Sequence, residues 1–236
     1  MTRRHRRWWF KNIALSMLIG ALISGALVFK WERGYADSAI TALGSGDGLS
    51  TLVQIESTRI LIVSGDDPSE FANALAKARP GQTPRIDLVI VAPGASRVAS
   101  RAIEIVDPAR VLVIESPLFE VVPHEWDAAT STVSVVSTVD IKDYVILEID
   151  PGYSVNSANA GWTIRIRSSG GDILISERAP LAVLPEIDAF IIAGSEPGAI
   201  IPTETTRFAS STLPLPENSG VHQISPGETS RIEFDN

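Results

Sequence analysis

The sequence contains no cysteine among its 236 residues and only three histidines. The lack of cysteine excludes disulfides, thiolate metal sites and a cysteine nucleophile. The histidines are His5, His124 and His222, and none of them stands at a paired spacing with another. Because a hydrolytic zinc site needs several nitrogen or oxygen ligands and an open position for water, we expect no metal, no cofactor and no catalytic residue.

Positive charge is scarce outside the N-terminal segment. The whole chain has a net charge of -8, but the residues up to Arg33 hold seven Lys and Arg against Glu32 alone. The remainder therefore carries 13 positive and 27 negative side chains, a net charge of -14. A phosphate backbone needs clustered Lys and Arg, so we do not expect this protein to bind nucleic acid.

One long apolar run stands near the N-terminus. Residues 1–12 are basic, and the uncharged stretch Ile13–Phe29 is followed by Lys30, Trp31 and Arg33. This length is at the lower limit for a membrane span, and the heavier basic cluster marks the cytoplasmic side. We therefore predict a basic cytoplasmic segment at 1–12, a transmembrane helix at 13–31 and an extracytoplasmic body. A cleaved signal peptide ending near Gly34-Tyr35-Ala36 is the alternative.

The first half of the body predicts alternating strands and helices. Three strands are expected at Ser38–Leu43, Leu49–Ile55 and Arg59–Ser64, and two more at Ile86–Ala92 and Val111–Ile114. Asp67-Pro68-Ser69-Glu70 is a typical helix start, and a second helix is predicted from a Ser96 cap to Val106. Because strands and helices alternate, this half predicts a largely parallel sheet.

The second half of the body is rich in strands. The predicted strands are Thr132–Ser137, Tyr144–Ile149, Trp162–Arg167, Ile173–Ser176 and Ile187–Ala193, with Val221–Ile224 and Arg231–Phe234 as edge strands of a tail at 210–236. The alternation in Trp162–Arg167 indicates one wet face. Ser168-Ser169-Gly170-Gly171 is typical of a hairpin turn. Together the two halves predict an α/β (α+β) body.

Several blocks of the body resemble, in the same order, blocks of a metallo-β-lactamase-like domain. The similarity is to the extracytoplasmic domain of bacterial competence DNA-uptake proteins, and it spans most of 41–236. The similar blocks are Leu43–Gly48, Arg59–Gly65, Ile86–Arg97, Gly161–Ser176, Asp188–Ser195 and Asn218–Phe234. The resemblance implies that residues 37–236 form a four-layer αββα sandwich of two mixed sheets, preceded by the transmembrane helix.

The resemblance also implies where metal ligands would stand. In the family an apolar strand ends in H-x-H-x-D-H, and those four ligand positions fall here on Ala92, Gly94, Ser96 and Arg97. The later block that leads into H-H-G-S in the family contains no histidine here. The resemblance therefore implies the fold of the family, with a site that has lost its metal ligands.

Two weaker interpretations keep some chemistry in the chain. Carboxylates of Asp47, Asp66 and Glu177, with Asp67, could hold a hard cation, but a turn at Asp47, a helix cap at Asp67 and a solvated Glu177 are the better explanation. Arg97 at a helix start could bind an anion, or it is an ordinary solvent-facing residue.

These observations predict a single-pass membrane protein with a non-catalytic extracytoplasmic domain. We expect it to act as a binding or assembly module, or as an accessory subunit of a membrane complex, with protein partners and with the bilayer around residues 13–31. The alternative is a divergent, phosphodiesterase-like hydrolase with a carboxylate-held metal. DNA uptake is not expected, because the body is acidic and no channel helices are present in the sequence.

Overall fold

The computed structural model describes residues 38–78, 85–116, 126, 128–142, 144–152, 161–168, 171–178, 187, 189–194, 206–210 and 221–234. These residues all belong to one unit, Ser38–Asn236. The predicted segments 1–12 and 13–31, and His5 and His124, lie outside the described residues. Within the described ranges, no helix combines the length and the apolar character that a membrane crossing requires.

The first sheet joins N-terminal hairpins, three parallel strands and the last strand of the chain. Its members are β1 (Ser38–Gly44), β2 (Leu49–Ile55), β3 (Thr58–Val63), β4 (Leu88–Val91), β5 (Arg110–Ile114), β6 (Ala129–Val133) and β14 (Thr229–Phe234). Their order is β14-β1-β2-β3-β4-β5-β6. The pairs from β14 to β3 are antiparallel, and those from β3 to β6 are parallel.

Two helices cross over the first sheet between its parallel strands. They are α1 (Pro68–Ala78), between β3 and β4, and α2 (Ser96–Val106), between β4 and β5. They contact each other, with α1 packed on β1 and β14 and α2 packed on β3 and β4. The apolar faces of the helices bury Phe71, Leu75 and Val98 against the sheet. This confirms the predicted alternation of strands and helices, because two neighbouring parallel strands need a crossover connection, usually a helix.

The starts of the two helices differ. Asp67 caps α1 as predicted, since its Oδ1 accepts hydrogen bonds from the N–H groups of Ser69 and Glu70 at 2.8 and 3.0 Å. The prediction that Ser96 caps α2 was wrong. Ala95 is the N-cap residue and makes no side-chain cap bond. Its N–H donates a hydrogen bond to the carbonyl of Ala92 at 3.1 Å, which forms a backbone turn before the helix. The helix therefore begins at Ser96 itself, and the serine is not the cap.

The second sheet repeats the strand pattern of the first. Its members are β7 (Ser137–Lys142), β8 (Val145–Asp150), β9 (Thr163–Ser168), β10 (Gly171–Ser176), β11 (Ala189–Ile192), β12 (Thr206–Ser210) and β13 (Val221–Ile224). Their order is β13-β12-β11-β10-β9-β8-β7. Pairs from β7 to β10 are antiparallel and pairs from β10 to β13 are parallel, so each sheet is a meander followed by parallel strands.

Two predictions for this region need correction. The predicted strand Thr132–Ser137 does not exist as one element, because Val133 ends β6 in the first sheet and Ser137 begins β7 in the second. The unbroken run of Val, Ser and Thr conceals the point at which the chain changes sheets. Strand β12 was not predicted. The hairpin turn was predicted correctly, since Ser168 pairs with Gly171 across β9 and β10.

The two sheets pack into one sandwich. Strands β1 and β2 are buried at every residue, because helices cover one face of their sheet and the second sheet covers the other. In β9, Ile164 and Ile166 are fully buried while Arg167 is exposed, which confirms the predicted wet face. Buried side chains of both sheets form one core. The fold is thus a sheet-rich mixed α/β sandwich, and the second helical layer of the expected αββα arrangement is not among the described residues.

Candidate functional site

The C-terminal ends of four parallel strands meet at one edge of the sandwich. Val63 accepts a hydrogen bond from the N–H of Ala92 at 2.9 Å, which joins the ends of β3 and β4. Ser176 accepts one from the N–H of Ala193 at 2.7 Å, which joins the ends of β10 and β11. The carbonyl of Ala193 then accepts from the N–H of Leu49 at 3.0 Å. We call this place, formed by residues 45–49, 63–66, 92–97 and 193–194, the strand-end junction. Four sequence blocks therefore meet where α/β proteins usually place catalytic groups.

Three buried serines connect the strands of the first sheet at the strand-end junction. The Oγ atoms of Ser45 and Ser50 both donate to the carbonyl of Ser64, at 2.6 and 2.8 Å. Ser45 Oγ accepts from the N–H of Ser50, and Ser50 Oγ accepts from the N–H of Ser64, each at 3.1 Å. Since each hydroxyl has one proton, this assignment uses each proton once. The network binds backbone to backbone and leaves no hydroxyl oriented as a nucleophile.

Ser64 extends this network to the second sheet. Its Oγ donates to the carbonyl of Ala193 at 3.0 Å, across 129 positions of sequence. The same carbonyl accepts from Leu49, so two strands of the first sheet hold one carbonyl of the second. Sequence reasoning did not identify Ser45, Ser50 and Ser64 as a connected group. No short spacing links these residues, and the only available signal was the occurrence of serines at the ends of buried strands.

Glycines let the backbones touch directly at the strand-end junction. A Cβ atom at Gly48 would lie 2.7 Å from the carbonyl oxygen of Ala193 and 2.8 Å from Cα of Gly65. A Cβ at Gly65 would meet the carbonyl of Ser45, and one at Gly194 would meet the carbonyl of Glu177. The backbones are therefore in close contact at Gly48, Gly65 and Gly194, where a side chain would not fit.

The four positions that align with the family's ligands differ in exposure, and none of them carries a histidine or a carboxylate. Ala92 is buried with 2 % of its surface exposed, whereas Arg97 is exposed and Ser96 is half-buried. Gly94 is exposed and has a φ angle of 80°, in the left-handed region that favours glycine. Gly94 thus meets a backbone requirement of this turn.

The structure brings two of the candidate carboxylates together. Asp66 follows β3, and its Oδ1 accepts a hydrogen bond from the N–H of Asp47 at 2.9 Å. Both residues are exposed. The neighbouring Asp67 uses its Oδ1 to cap α1. The bond from Asp47 fixes the loop between β1 and β2 against the turn that follows β3, which is a structural task for Asp66.

Glu177 lies at the end of β10 and contacts the second sheet. Its N–H donates to the carbonyl of Trp162 at 3.0 Å, and its own carbonyl accepts from Gly194 at 3.0 Å. Its Oε2 accepts from the N–H of Trp162 at 3.4 Å. These contacts hold Glu177 against backbone groups, and Asp66 is held by a backbone N–H in the same way. Among the residues that the structure describes, no group of three or more His, Cys, Asp and Glu side chains could hold a metal ion.

No protein-family model matches the chain, and no curated protein sequence matches it. Solved structures of metallo-β-lactamase fold proteins do match. The Rm3 metallo-β-lactamase is 14% identical at a TM-score of 0.43, over 64% of this chain and 62% of that one. The metallo-β-lactamase fold protein YhfI from Bacillus subtilis is 10% identical at a TM-score of 0.41, over 66% and 70%. Zn²⁺-bound PqqB from Methylobacterium extorquens is 13% identical at 0.43, over 65% and 71%.

Proposed function

We propose that this chain is a membrane-anchored, non-catalytic domain of metallo-β-lactamase type that serves as a binding or assembly module, or as an accessory subunit of a membrane complex. The similarity of its sequence blocks to the domain of competence DNA-uptake proteins supports the fold assignment. The strand pattern supports it too, since two mixed sheets with crossover helices are what that resemblance implies.

One observation carries the non-catalytic part of the proposal. At the strand-end junction, backbone groups and serine hydroxyls bond to one another, and Gly48 lies against Ala193 and Gly65. Hydrolysis by a metal requires ligands that converge on an open position. The family's ligand positions carry Ala92, Gly94, Ser96 and Arg97 here, and none of these offers an imidazole or a carboxylate ligand.

The rival function is a hydrolase with a metal held by Asp47, Asp66 and Glu177. The closeness of Asp47 and Asp66 favours it, but Oδ1 of Asp66 already accepts a hydrogen bond from the main-chain N–H of Asp47. Glu177 directs one carboxylate oxygen to the N–H of Trp162. A hard cation needs several oxygen ligands around one point, but these carboxylate oxygens already accept main-chain hydrogen bonds.

The experiment is a metal and activity assay on the full chain purified in mild detergent. We expect no stoichiometric zinc, manganese or magnesium, and no hydrolysis of an activated aryl phosphodiester above the rate without protein. Asp66→Asn keeps an oxygen that can accept from Asp47, so it leaves folding intact. A stoichiometric metal together with an activity that Asp66→Asn abolishes would overturn the proposal and favour the hydrolase.

A second measurement separates an accessory subunit from a free anchor. The predicted helix at 13–31 would place the body outside the cytoplasm. An accessory subunit co-purifies from mild detergent with a different membrane protein at a fixed ratio, and the ratio survives changes in expression level. A free-standing anchor gives only the mass of this chain or of its multiples. Protease added to intact cells stripped of their wall should digest the body and spare residues before the helix.

A further inference from the structure

Among the strands that the structure describes, β6 stands at the edge of the first sheet. It is the last strand in the order, and β5 is its neighbour among the described strands. The carbonyl of Val133 accepts a hydrogen bond from the N–H of Glu115 at 2.9 Å, so the backbone groups of Val133 face β5. Because bonding directions alternate along a parallel strand, Thr130 and Thr132 turn their N–H and C=O groups away from the sheet. Residues 129–132 are exposed.

This edge lacks the features that normally prevent strand pairing. Natural proteins protect open edges with charged residues, proline or bulges. The stretch Ala128–Val139 contains no charged residue and no proline. Strand β7, at the matching edge of the second sheet, has an irregular register between Asp140 and Lys142, and both of those residues are charged. Of these two edges, the one at β6 is the one whose strand carries no charged residue.

Charge favours a second copy of this chain as the occupant. The chain has a net charge of -8, so two copies repel each other over most of their surface. An uncharged stretch such as Ala128–Val139 is where two such bodies can approach without placing like charges opposite one another. A basic partner would find no carboxylate on this edge to bind, and it would be drawn to other parts of the surface.

The sequence of β6 also suits pairing with itself. In an antiparallel pair centred on Ser131, Thr130 lies opposite Thr132 of the second copy, and Ala129 lies opposite Val133. Both threonines direct their backbone groups outward, so the hydrogen-bonding positions coincide, and Thr–Thr pairs stabilise antiparallel strands.

We propose that β6 pairs antiparallel with β6 of a second copy of this chain, about a two-fold axis at Ser131. The pairing joins the two first sheets into one continuous sheet. It uses the same surface on both copies, so it closes as a dimer and does not extend into a fibre. A five-residue strand with its flanking valines buries less than the roughly 1,000 Å² typical of a stable interface, so the dimer population rises with concentration.

The first test measures the mass of the full chain in mild detergent by sedimentation over a range of concentrations. We expect a monomer–dimer equilibrium that Thr132→Pro and Thr132→Lys both shift to monomer. The N–H of Thr132 faces away from β5, so its loss spares the first sheet, and circular dichroism checks the fold. Thr138→Lys, on exposed β7 opposite Glu148, is the matched control and should leave the dimer intact. A wild-type monomer at every soluble concentration, or a dimer that both Thr132 variants retain, overturns the proposal.

The second test uses the absence of cysteine from the chain. Opposite residues at a two-fold axis between hydrogen-bonded pairs have Cα atoms about 4.5 Å apart, within the range of a disulfide. Ser131→Cys should therefore give a disulfide-linked dimer under mild oxidation, seen on a non-reducing gel. Thr138→Cys places a single exposed thiol on β7, at an edge of the second sheet. This variant should remain monomeric on that gel. Equal cross-linking of the two variants would contradict the proposed register.

Discussion

The hydroxyl of Ser64 donates a hydrogen bond to the carbonyl of Ala193 at 3.0 Å and so links the two sheets at the ends of β3 and β11. The backbone of Ser64 is itself held by the hydroxyls of Ser45 and Ser50. A chain of three serines thus joins the β1–β2 loop, the end of β3 and the second sheet. The stability of the sandwich should depend on these small hydroxyls more than on the exposed charges nearby.

Ser50→Ala should destabilise the fold more than Ser64→Ala. Loss of the Ser50 hydroxyl removes the acceptor for the buried N–H of Ser64, and an unpaired buried donor costs about 2 kcal/mol. Loss of the Ser64 hydroxyl costs about 1 kcal/mol, because the carbonyl of Ala193 keeps its bond from Leu49. Denaturant unfolding followed by circular dichroism measures both. Exposed Ser69→Ala is the control, and a cost for Ser50→Ala no larger than for Ser69→Ala would contradict the network.

Gly48→Ala should be more damaging than Gly94→Ala, for a different reason. A Cβ at Gly48 would meet backbone atoms of Ala193 and Gly65, which cannot move aside as a flexible side chain can, so we expect a loss of about 3 kcal/mol. Gly94 is exposed, and its cost comes from its φ angle of 80°, about 1 kcal/mol. Thermal and denaturant unfolding of both variants test this. Equal losses would mean that the strand-end junction is less closely packed than its distances indicate.

Asp67→Ala should cost about 1 kcal/mol, because it removes the acceptor for two N–H groups in the first turn of α1. Asp67→Asn retains a side-chain oxygen and should recover most of that loss. The free energy of unfolding of the two variants provides the measurement. If Asn and Ala lowered stability equally, then the charge of Asp67 would matter and the cap hydrogen bonds would not.

Local patterns predicted most of the strands. Strand β2 was predicted at its observed bounds, Leu49–Ile55, and β13 at Val221–Ile224, because runs of β-branched residues ended at turn-forming ones. The same logic failed at 132–137. There the apolar and hydroxyl residues continue without a break while the chain passes from β6 to β7, and only the pairing of each strand with a distant partner fixes the boundary.

The strand-end junction was predictable only in part. Sequence blocks identified the strand ends, because each runs from an apolar strand into a polar turn. They could not reveal that Ser45, Ser50 and Ser64 bond to one another, since those bonds depend on the register of β2 and β3. They also assigned Ser96 the cap of α2, although a backbone turn ending at Ala95 starts that helix. Features fixed by neighbouring residues were accessible from sequence, whereas those fixed by tertiary packing were not.

The packing of Ala92 leads to a prediction about metal binding. Ala92 stands where the family's first histidine aligns, yet it is 2 % exposed in a filled region at the end of β4. Ala92→His should therefore overpack the core and lower the free energy of unfolding by about 2 kcal/mol. Exposed Arg97→His, at another aligned position, should change stability by less than about 0.5 kcal/mol.

Zinc then distinguishes a filled junction from a latent site. A metal that binds the folded state raises the unfolding temperature in proportion to the logarithm of its concentration. The test uses a variant that carries both Ala92→His and Arg97→His. If the space beside Ala92 is filled, this variant should have the same unfolding temperature in zinc as in a chelator. A zinc-dependent rise would mean that the two positions converge on an open space after all. The backbone contacts of Gly48 and Gly65 would then have to yield to a metal, and the rival hydrolase would regain support.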